Sequence, residues 1–180
     1  MNKEEILQNY RIEKLKAHHK LNDFNCEKEG LNKFLKEDAL EQQENNFNVT
    51  YLAIYEDIII GYYSLLADYI HLKEVDFPIK KEFKNAPAIK IGRLARDINF
   101  KGCGLGEELL DNIYNQILKC KNVFGIKYIT VDSYVTARHF YKKNRFLYIN
   151  KINKKKLKKA EERNPNSTVV MYKDVKRINI

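Results

Sequence analysis

The sequence predicts a mixed α/β domain, and three observations lead to that class. Apolar residues recur at helical spacing between Glu29 and Asn46. Several β-rich runs follow along the rest of the chain. A glycine-rich loop at residues 101–106 separates one of these runs from a second helical pattern. With 180 residues, 44% of them hydrophobic and 12% aromatic, the chain is expected to form one packed domain over residues 1–180.

The predicted elements alternate between helices and strands, without internal repeats. The first helix, residues 29–46, carries Leu31, Phe34, Leu35 and Ala39 on one apolar face. Next come a strand at 49–55, a tight hairpin at Glu56-Asp57, a strand at 58–66 and an irregular connection at 68–86 with Pro78 and one short helical turn. A strand at 88–95 precedes the glycine loop, and a helix carrying Leu109 to Leu118 follows it. The remaining elements are a strand at 126–131, a helix at 136–143, a strand at 146–149, a basic linker at 151–163 and a strand at 168–172.

Composition narrows the class of protein. A net charge of +9 and a pI near 9.3 favour a polyanionic partner, either nucleic acid or a phosphorylated ligand. No run approaches the roughly 20 apolar residues that a membrane helix needs, and the N-terminal segment is charged, so a cytoplasmic protein is expected. Cys26, Cys103 and Cys120 are odd in number and widely separated, which argues against a disulfide framework and a structural zinc site. No metal site is expected.

Three glycines at the start of the second helical pattern indicate an anion-binding loop. Gly102, Gly104 and Gly106 put backbone amides near the positive end of a helix, and their missing Cβ atoms let phosphate oxygens approach closely. The spacing fits neither the Walker loop nor the dinucleotide fingerprint. Two other interpretations of this loop stay open. The glycines could do no more than start a helix, and Cys103 could be a nucleophile, although a spacer role is favoured.

Two motifs resemble those of the GNAT superfamily of N-acetyltransferases. Residues 92–95, Gly-Arg-Leu-Ala, followed by residues 101–106, Lys-Gly-Cys-Gly-Leu-Gly, are similar to its cofactor motif, Gln/Arg-x-x-Gly-x-Gly/Ala, with lysine in place of the usual Gln or Arg. Residues 136–146 are similar to its helix Ala-x-x-Phe-Tyr-x-x-x-Gly-Phe, with Arg145 where relatives carry glycine. Asn144 also tolerates positive φ, so the register of that turn is open. The resemblance implies the GNAT fold, which is a central, largely antiparallel sheet with splayed strands flanked by helices, and acetyl-CoA as the cofactor.

The same resemblance implies a set of site residues. Tyr141 matches the family's catalytic acid, a hydroxyl that donates to the leaving thiolate when an amine attacks a thioester. Outside this motif it would be interpreted as a core aromatic residue. No carboxylate base lies on residues 90–95, so water is the expected proton acceptor. The implied cofactor-binding residues are Leu94, Ala95, Arg96, Lys101, Gly102, Cys103, Gly104, Leu105, Gly106, Ser133, Ala137 and Phe140.

Further segments resemble the toxin-type branch of GNAT proteins. These are residues 24–26, 31–39, 61–65 and 88–95. Members of that branch acetylate the amino group of aminoacyl-tRNA, dimerise and are neutralised by a ribbon-helix-helix antitoxin, so the resemblance implies tRNA as substrate, an antitoxin partner and a homodimer.

The basic residues are the candidates for contacts with RNA phosphates. Lys90 and Arg93 are the principal ones, joined by Arg96 and the basic linker. A solvated surface loop is the favoured alternative for the linker. Two other functions stay open for the chain, a GNAT enzyme acting on a small amine or a protein N-terminus, and a non-catalytic RNA-binding module.

Overall fold

The computed structural model describes residues 3–75, 83–121, 123–149 and 154–178. Within these ranges the helices are α1 (Lys3–Asn9), α2 (Glu29–Lys33), α3 (Ala39–Glu44), α4 (Leu105–Cys120), α5 (Arg138–Lys143) and α6 (Lys154–Arg163). The strands are β1 (Arg11–Lys14), β2 (Val49–Tyr55), β3 (Ile58–His71), β4 (Asn85–Arg96), β5 (Tyr128–Tyr134), β6 (Leu147–Tyr148) and β7 (Thr168–Asp174). Short 3-10 turns lie at Leu72–Glu74, Ile98–Phe100 and Val175–Arg177.

The strands form one sheet in the order β1-β2-β3-β4-β5-β7-β6. The pairs β1–β2, β2–β3, β5–β7 and β6–β7 are antiparallel, whereas β4 and β5 run parallel. The predicted mixed α/β class and the largely antiparallel sheet flanked by helices are therefore confirmed. The chain divides into two compact units, one of Met1–Leu66 with Gly92–Gln116 and one of Ala67–Ile91 with Ile117–Ile180. The single domain over residues 1–180 stays a prediction.

The first unit has an aromatic core beneath α2 and α3. Tyr62 is fully buried, its ring lies 5.4 Å from that of Phe24 and 6.2 Å from that of Phe34, and its hydroxyl donates to the carbonyl of Leu31. Burying an aromatic ring while satisfying its hydroxyl is the favourable arrangement for tyrosine. The rest of this core cluster comprises Leu15, Leu35, Ala39, Leu52, Ile54, Ile59 and Ala95.

The predicted helix at 29–46 is present but contains a π-helical turn. The five residues Phe34–Asp38 are wound more widely, and the amide of Ala39 donates to the carbonyl of Phe34, five residues earlier. A π-turn adds one residue to a helix, and it allows Phe34 and Leu35 both to be buried.

The second unit has its own core around β5 and β7. Tyr128 and Tyr172 pack edge to face at 5.4 Å, next to Ile70, Ala86 and Ala88. Lys127 pairs with Asp174 at one end of these strands. This pairing holds the ends of β5 and β7 in register.

The hairpin between β2 and β3 is confirmed. Glu56 and Asp57 both have positive φ, 46° and 63°. Two consecutive residues of that kind form the type I′ turn whose twist matches that of paired strands.

Several predicted boundaries were wrong. Residues 68–71 belong to β3, not to an irregular connection, because Ile70 is buried in the second core. The short helical turn predicted in 68–86 is found at Leu72–Glu74, and residues 76–82 lie outside the described ranges. β4 starts three residues early, at Asn85, and β5 is displaced to Tyr128–Tyr134. The predicted helix at 136–143 begins at Arg138, which makes Ala137 its N-cap.

The basic linker is largely a helix. Residues 154–163 form α6, whereas residues 150–153 lie outside the described ranges. Leu157 is buried, and Glu161 accepts from the Arg138 guanidinium at 2.7 Å. The solvated-loop interpretation was therefore wrong for this part. Lysine is a good helix former, and one apolar residue with one ion pair is enough to dock a short amphipathic helix.

Candidate active site

β4 carries predicted site residues on both sides of the point where its pairing with β5 ends. The parallel register runs from Ala88–Tyr128 to Ile91–Val131, and β4 itself continues to Arg96. Ala95 is buried, and Leu94 and Arg96 are half-buried. The backbone that the resemblance assigns to the cofactor arm, residues 94–96, therefore lies beyond the part of β4 that pairs with β5.

Asp97 fixes the turn that follows β4. Its side chain is buried, one carboxylate oxygen accepts from the amide of Asn25 at 2.8 Å, and the other accepts from the amide and the side chain of Asn99, both at 2.9 Å. Its own amide donates to the carbonyl of Ile60. Asp97 thus ties three segments of the first unit at the base of the glycine loop. It was missed from the sequence, although Asp-x-Asn after a strand is a signal for such a side-chain turn.

The glycine loop has the backbone geometry that an anion cradle requires. Gly102 and Gly104 have φ of 74° and 90°, a region that side chains of L-residues strongly disfavour. The carbonyl of Gly104 accepts from the amides of Glu107 and Glu108, so α4 begins immediately after it. The amides of Leu105 and Gly106, in the first helical turn, have no intrahelical acceptor. They are available to an anion at the positive end of a 16-residue helix.

The side chains of this loop divide into one buried and one exposed group. Cys103 is buried, and its thiol donates to the carbonyl of Phe100 at 2.9 Å. An inward-facing thiol with that bond supports the spacer interpretation over a nucleophile. Lys101 is exposed and brings a cation to the loop.

Tyr141 lies on α5 in the second unit. It is 6% exposed, and its ring packs edge-on against Phe140 at 5.2 Å and against Phe146 at 5.3 Å. The helix is anchored by Arg138, whose guanidinium donates to the carbonyl of Val135 and to Glu161. The aromatic side chains and this anchor hold the tyrosine in one orientation.

The turn after α5 settles the register that the sequence left open. Arg145 has φ of 63°, whereas Asn144 has φ of −84°. The residue that replaces the family's glycine therefore itself adopts the left-handed conformation. That conformation costs an arginine roughly 1–2 kcal/mol relative to glycine.

The remaining predicted residues are engaged within their own units. Lys90 pairs with Asp132 at 2.6 Å, and the guanidinium of Arg93 lies 4.8 Å from the centre of the Phe34 ring. Ser133 is buried and donates to the carbonyl of Tyr134. The guanidinium of Arg93 is thus exposed beside the Phe34 ring, whereas the ammonium of Lys90 is already paired with the Asp132 carboxylate.

A groove of about 430 Å³ adjoins Arg93 in the first unit. Apolar and amide side chains alternate along it, and one of them, Phe47, is 70% exposed. A Cβ at Gly92 would come within 2.8 Å of Leu66 and 3.0 Å of the Ser64 hydroxyl. Glycine therefore keeps the groove open at this point of β4. The groove is lined by Phe34, Gln42, Phe47, Asn48, Ser64, Leu66, Gly92 and Arg93.

One cluster outside these elements has side chains that metals favour. Atoms of Glu13, His18 and His19 lie within 4.8 Å of one another. His19 accepts from the amide of Lys16 through Nδ1 and meets Glu13 through Nε2 at 3.2 Å. A neutral ring with these two partners carries its proton on Nε2, so both nitrogens are used within the turn.

A protein-family model described as an acetyltransferase (GNAT) domain matches residues 12–157. The chain belongs to the GNAT acetyltransferase family. The match spans the glycine loop, β5 and the tyrosine of α5, and the resemblance predicted from the two motifs is confirmed.

Solved structures give the same fold. A tyrosine-to-phenylalanine mutant of KacT superimposes with a TM-score of 0.78 at 24% identity, over 94% of this chain and 96% of that one. AtaT complexed with acetyl-methionyl-tRNAfMet gives 0.76 at 24% identity, over 93% and 96%. AtaTR bound with acetyl-CoA gives 0.74 at 25% identity, over 94% and 95%. None of the described helices is long and apolar enough to cross a membrane.

Proposed function

We propose that this GNAT protein transfers the acetyl group of acetyl-CoA to the α-amino group of an aminoacyl-tRNA. The observation that carries the proposal is the succession from β4 through Asp97 to the glycine loop and α4, in which helix amides without intrahelical acceptors follow a strand whose pairing with β5 has already ended. AtaT, whose structure includes an acetylated aminoacyl-tRNA, shares the fold over nearly the whole chain. The net charge of +9 suits an RNA substrate.

The proposed cofactor site uses backbone more than side chains. The amides of residues 102–106 would hold the pyrophosphate, with Lys101 as a nearby cation, because two glycines already take the required left-handed conformation. The backbone of residues 94–96 would pair with the pantetheine arm. Ser133, Ala137 and Phe140, all in the second unit, are further proposed contacts of the cofactor. Acetyl-CoA supplies the activated acetyl group.

Tyr141 is the proposed proton donor. In the transfer, the amine nitrogen bonds to the thioester carbonyl carbon, the carbon–sulfur bond breaks, and the leaving sulfur takes a proton from the Tyr141 hydroxyl. The proton of the attacking nitrogen goes to water. An α-amine, with a pKa near 8, is roughly a tenth neutral at pH 7, so it needs less help from a base than a lysine side chain does.

Arg93, Lys90 and Arg96 are the proposed contacts for the acceptor RNA. Arg93 is the best placed, because it borders the groove at Gly92 and its cation–π contact with Phe34 orients it. Lys90 would have to share its charge with Asp132.

The proposed partners follow from the same assignment. A toxin of this kind would be neutralised by a ribbon-helix-helix antitoxin, as AtaT is bound to the C-terminus of the antitoxin AtaR in one structure. We also propose a homodimer, and the cytoplasm, where charged tRNA is found, as its compartment.

Transfer of radiolabelled acetyl groups tests the proposal. Purified charged tRNA should be labelled, whereas uncharged tRNA, polyamines and peptides should not. Label on peptides or polyamines alone would instead identify a GNAT enzyme for another amine. Absence of any transfer, together with tight RNA binding, would identify a non-catalytic module.

The Tyr141→Phe variant tests the mechanism within the same assay. Turnover should fall by about 100-fold or more, as for a lost general acid, while acetyl-CoA still binds. Tyr69→Phe is the matched control, because Tyr69 is 56% exposed and has no proposed role. Equal turnover in the two variants would remove Tyr141 from the mechanism.

A further inference from the structure

Four cations of the second unit line one open cavity at the end of α5, the helix that carries Tyr141. The cavity has a volume of about 460 Å³ and is bounded by Lys142, Arg145, Phe146, Leu147, Lys176 and Arg177. All four cationic side chains are exposed. The two segments that supply them, the end of α5 and the turn after β7, are brought together by the pairing of β6 with β7.

The cavity has no carboxylate in its lining. None of its four cations forms an ion pair with any of the residues that the structure describes. The nearest acid in sequence, Asp174, is used elsewhere, because it pairs with Lys127 and accepts from the amide of Lys176. Four like charges facing one concavity repel one another unless an anion neutralises them.

The backbone beneath these cations is strained and then held in place. Arg145 takes the left-handed conformation, with φ of 63°, which costs energy for any residue other than glycine. The buried Lys173 donates to the carbonyl of Asn144 at 3.1 Å, and this bond fixes the turn. A strained non-glycine residue that presents a cation at a cavity is the kind of outlier from which a binding role is inferred.

We propose that this cavity, which we call the α5 cation site, binds phosphate groups of the RNA backbone. The inference rests on the proposed function, since it assigns a place on this chain to its RNA acceptor. Exposed cations on flexible side chains that line an open concavity suit a row of RNA phosphates. Each contact between a cation and a phosphate releases counterions from the RNA. The floor of the site, Phe146, packs against Tyr141, so RNA held here lies beside the helix that carries the proposed acid.

The α5 cation site contains none of the residues proposed above to contact the acceptor RNA, which are Arg93, Lys90 and Arg96. The helix α6 is a poorer candidate, because its exposed lysines are followed by Glu161 and Glu162.

Binding of uncharged tRNA to the full chain, measured across a range of salt concentrations, tests the site. The double variant Lys142→Gln/Arg177→Gln should flatten the slope of log affinity against log salt by about 0.7–0.9 per lost contact, and lower the affinity by about twentyfold near 0.15 M salt. Lys119→Gln removes one exposed cation of the same unit outside the cavity and is the matched control. It should leave the slope almost unchanged.

The single variant Arg145→Gly separates binding from a structural role. Affinity for tRNA should fall by about fivefold near 0.15 M salt, while the melting midpoint rises by a few degrees because glycine relieves the strained φ. A merely structural arginine would not move these two measurements in opposite directions.

Three results would overturn the site. The first is an unchanged salt slope in the double variant. The second is a loss of tRNA affinity accompanied by a fall in melting midpoint in both variants. The third is a loss of acetyl-CoA affinity as large as the loss of tRNA affinity, which would assign the cations to the cofactor's phosphates. Acetyl transfer to charged tRNA is measured in parallel. Absence of transfer by the unmodified chain rejects the proposed function, whereas intact transfer with an unaltered KM for tRNA in the double variant rejects the α5 cation site alone.

Discussion

Replacing Asp97 by alanine should destabilise the protein and weaken its binding of acetyl-CoA. The carboxylate accepts three hydrogen bonds, one from Asn25 and two from Asn99. At about 1 kcal/mol for each bond lost, the free energy of unfolding should fall by about 3 kcal/mol. For a chain of this length, that corresponds to a fall in melting midpoint of roughly 6–12 °C. Acetyl-CoA affinity should fall as well, since the glycine loop loses the residue that fixes its base.

Urea denaturation and calorimetric titration with acetyl-CoA measure the two effects. Asp97→Asn keeps the size of the side chain but turns an NH₂ group towards a donor, so it should cost about 1–2 kcal/mol. Asn99→Ala removes one side-chain bond and is the milder control. If Asp97→Ala lowered the unfolding free energy by less than about 1 kcal/mol and left acetyl-CoA affinity unaltered, the anchoring role would be refuted.

Three further outcomes are expected. Gly104→Ala should cost about 1–2 kcal/mol in urea denaturation because of its φ of 90°, and it should weaken acetyl-CoA binding, whereas Gly125→Ala, where an added Cβ meets open space, should change neither. Burial raises the pKa of Tyr128 to about 12, so on raising the pH the unfolded chain loses this proton before the folded chain does. Between pH 10 and 12 the contribution of Tyr128 to the free energy of unfolding should therefore fall by up to about 1.4 kcal/mol per pH unit. Tyr128→Phe should remove this contribution to the pH dependence. A thiol reagent should label the exposed Cys120 well before the buried Cys103, as mass spectrometry of timed samples would show, and the reverse order would contradict the inward orientation of Cys103.

The parts of the fold that local chemistry dictates were predicted well. The loop at residues 102–106 needs backbone conformations that glycine adopts readily, so its glycines were enough to place it. The turn at Glu56-Asp57 was placed by the β-rich runs on either side of it. The position of Tyr141 on a short helix followed from its motif. The roles of the predicted site residues stay predictions, which the variants above test.

The parts that depend on distant contacts could not be predicted in the same way. The bond that Asp97 accepts from the amide of Asn25, 72 residues earlier, could not be predicted, because the Asp-x-Asn signal reveals only the local bonds from Asn99. β3 continues to His71 because Ile70 packs in a core formed by β5 and β7. α6 has the composition of a linker, and it docks through Leu157 and through the pairing of Glu161 with Arg138, 23 residues earlier. The choice of Arg145 over Asn144 for the left-handed turn also needed the structure.

The π-turn at Phe34–Asp38 has a consequence for comparing this chain with its relatives. Because such a turn holds one residue more than the α-helix it interrupts, an alignment across this helix should contain a one-residue gap wherever a relative is regularly wound. Phe34 lies beneath Arg93 in the groove. Without that gap, an alignment would match Phe34 to a residue of the relative that does not occupy the same place. Gain or loss of a single codon elsewhere in the helix, where no π-turn absorbs it, would rotate the following residues by about 100°. Insertion and deletion in one helix could therefore diversify what lines the groove while every strand of the sheet keeps its sequence.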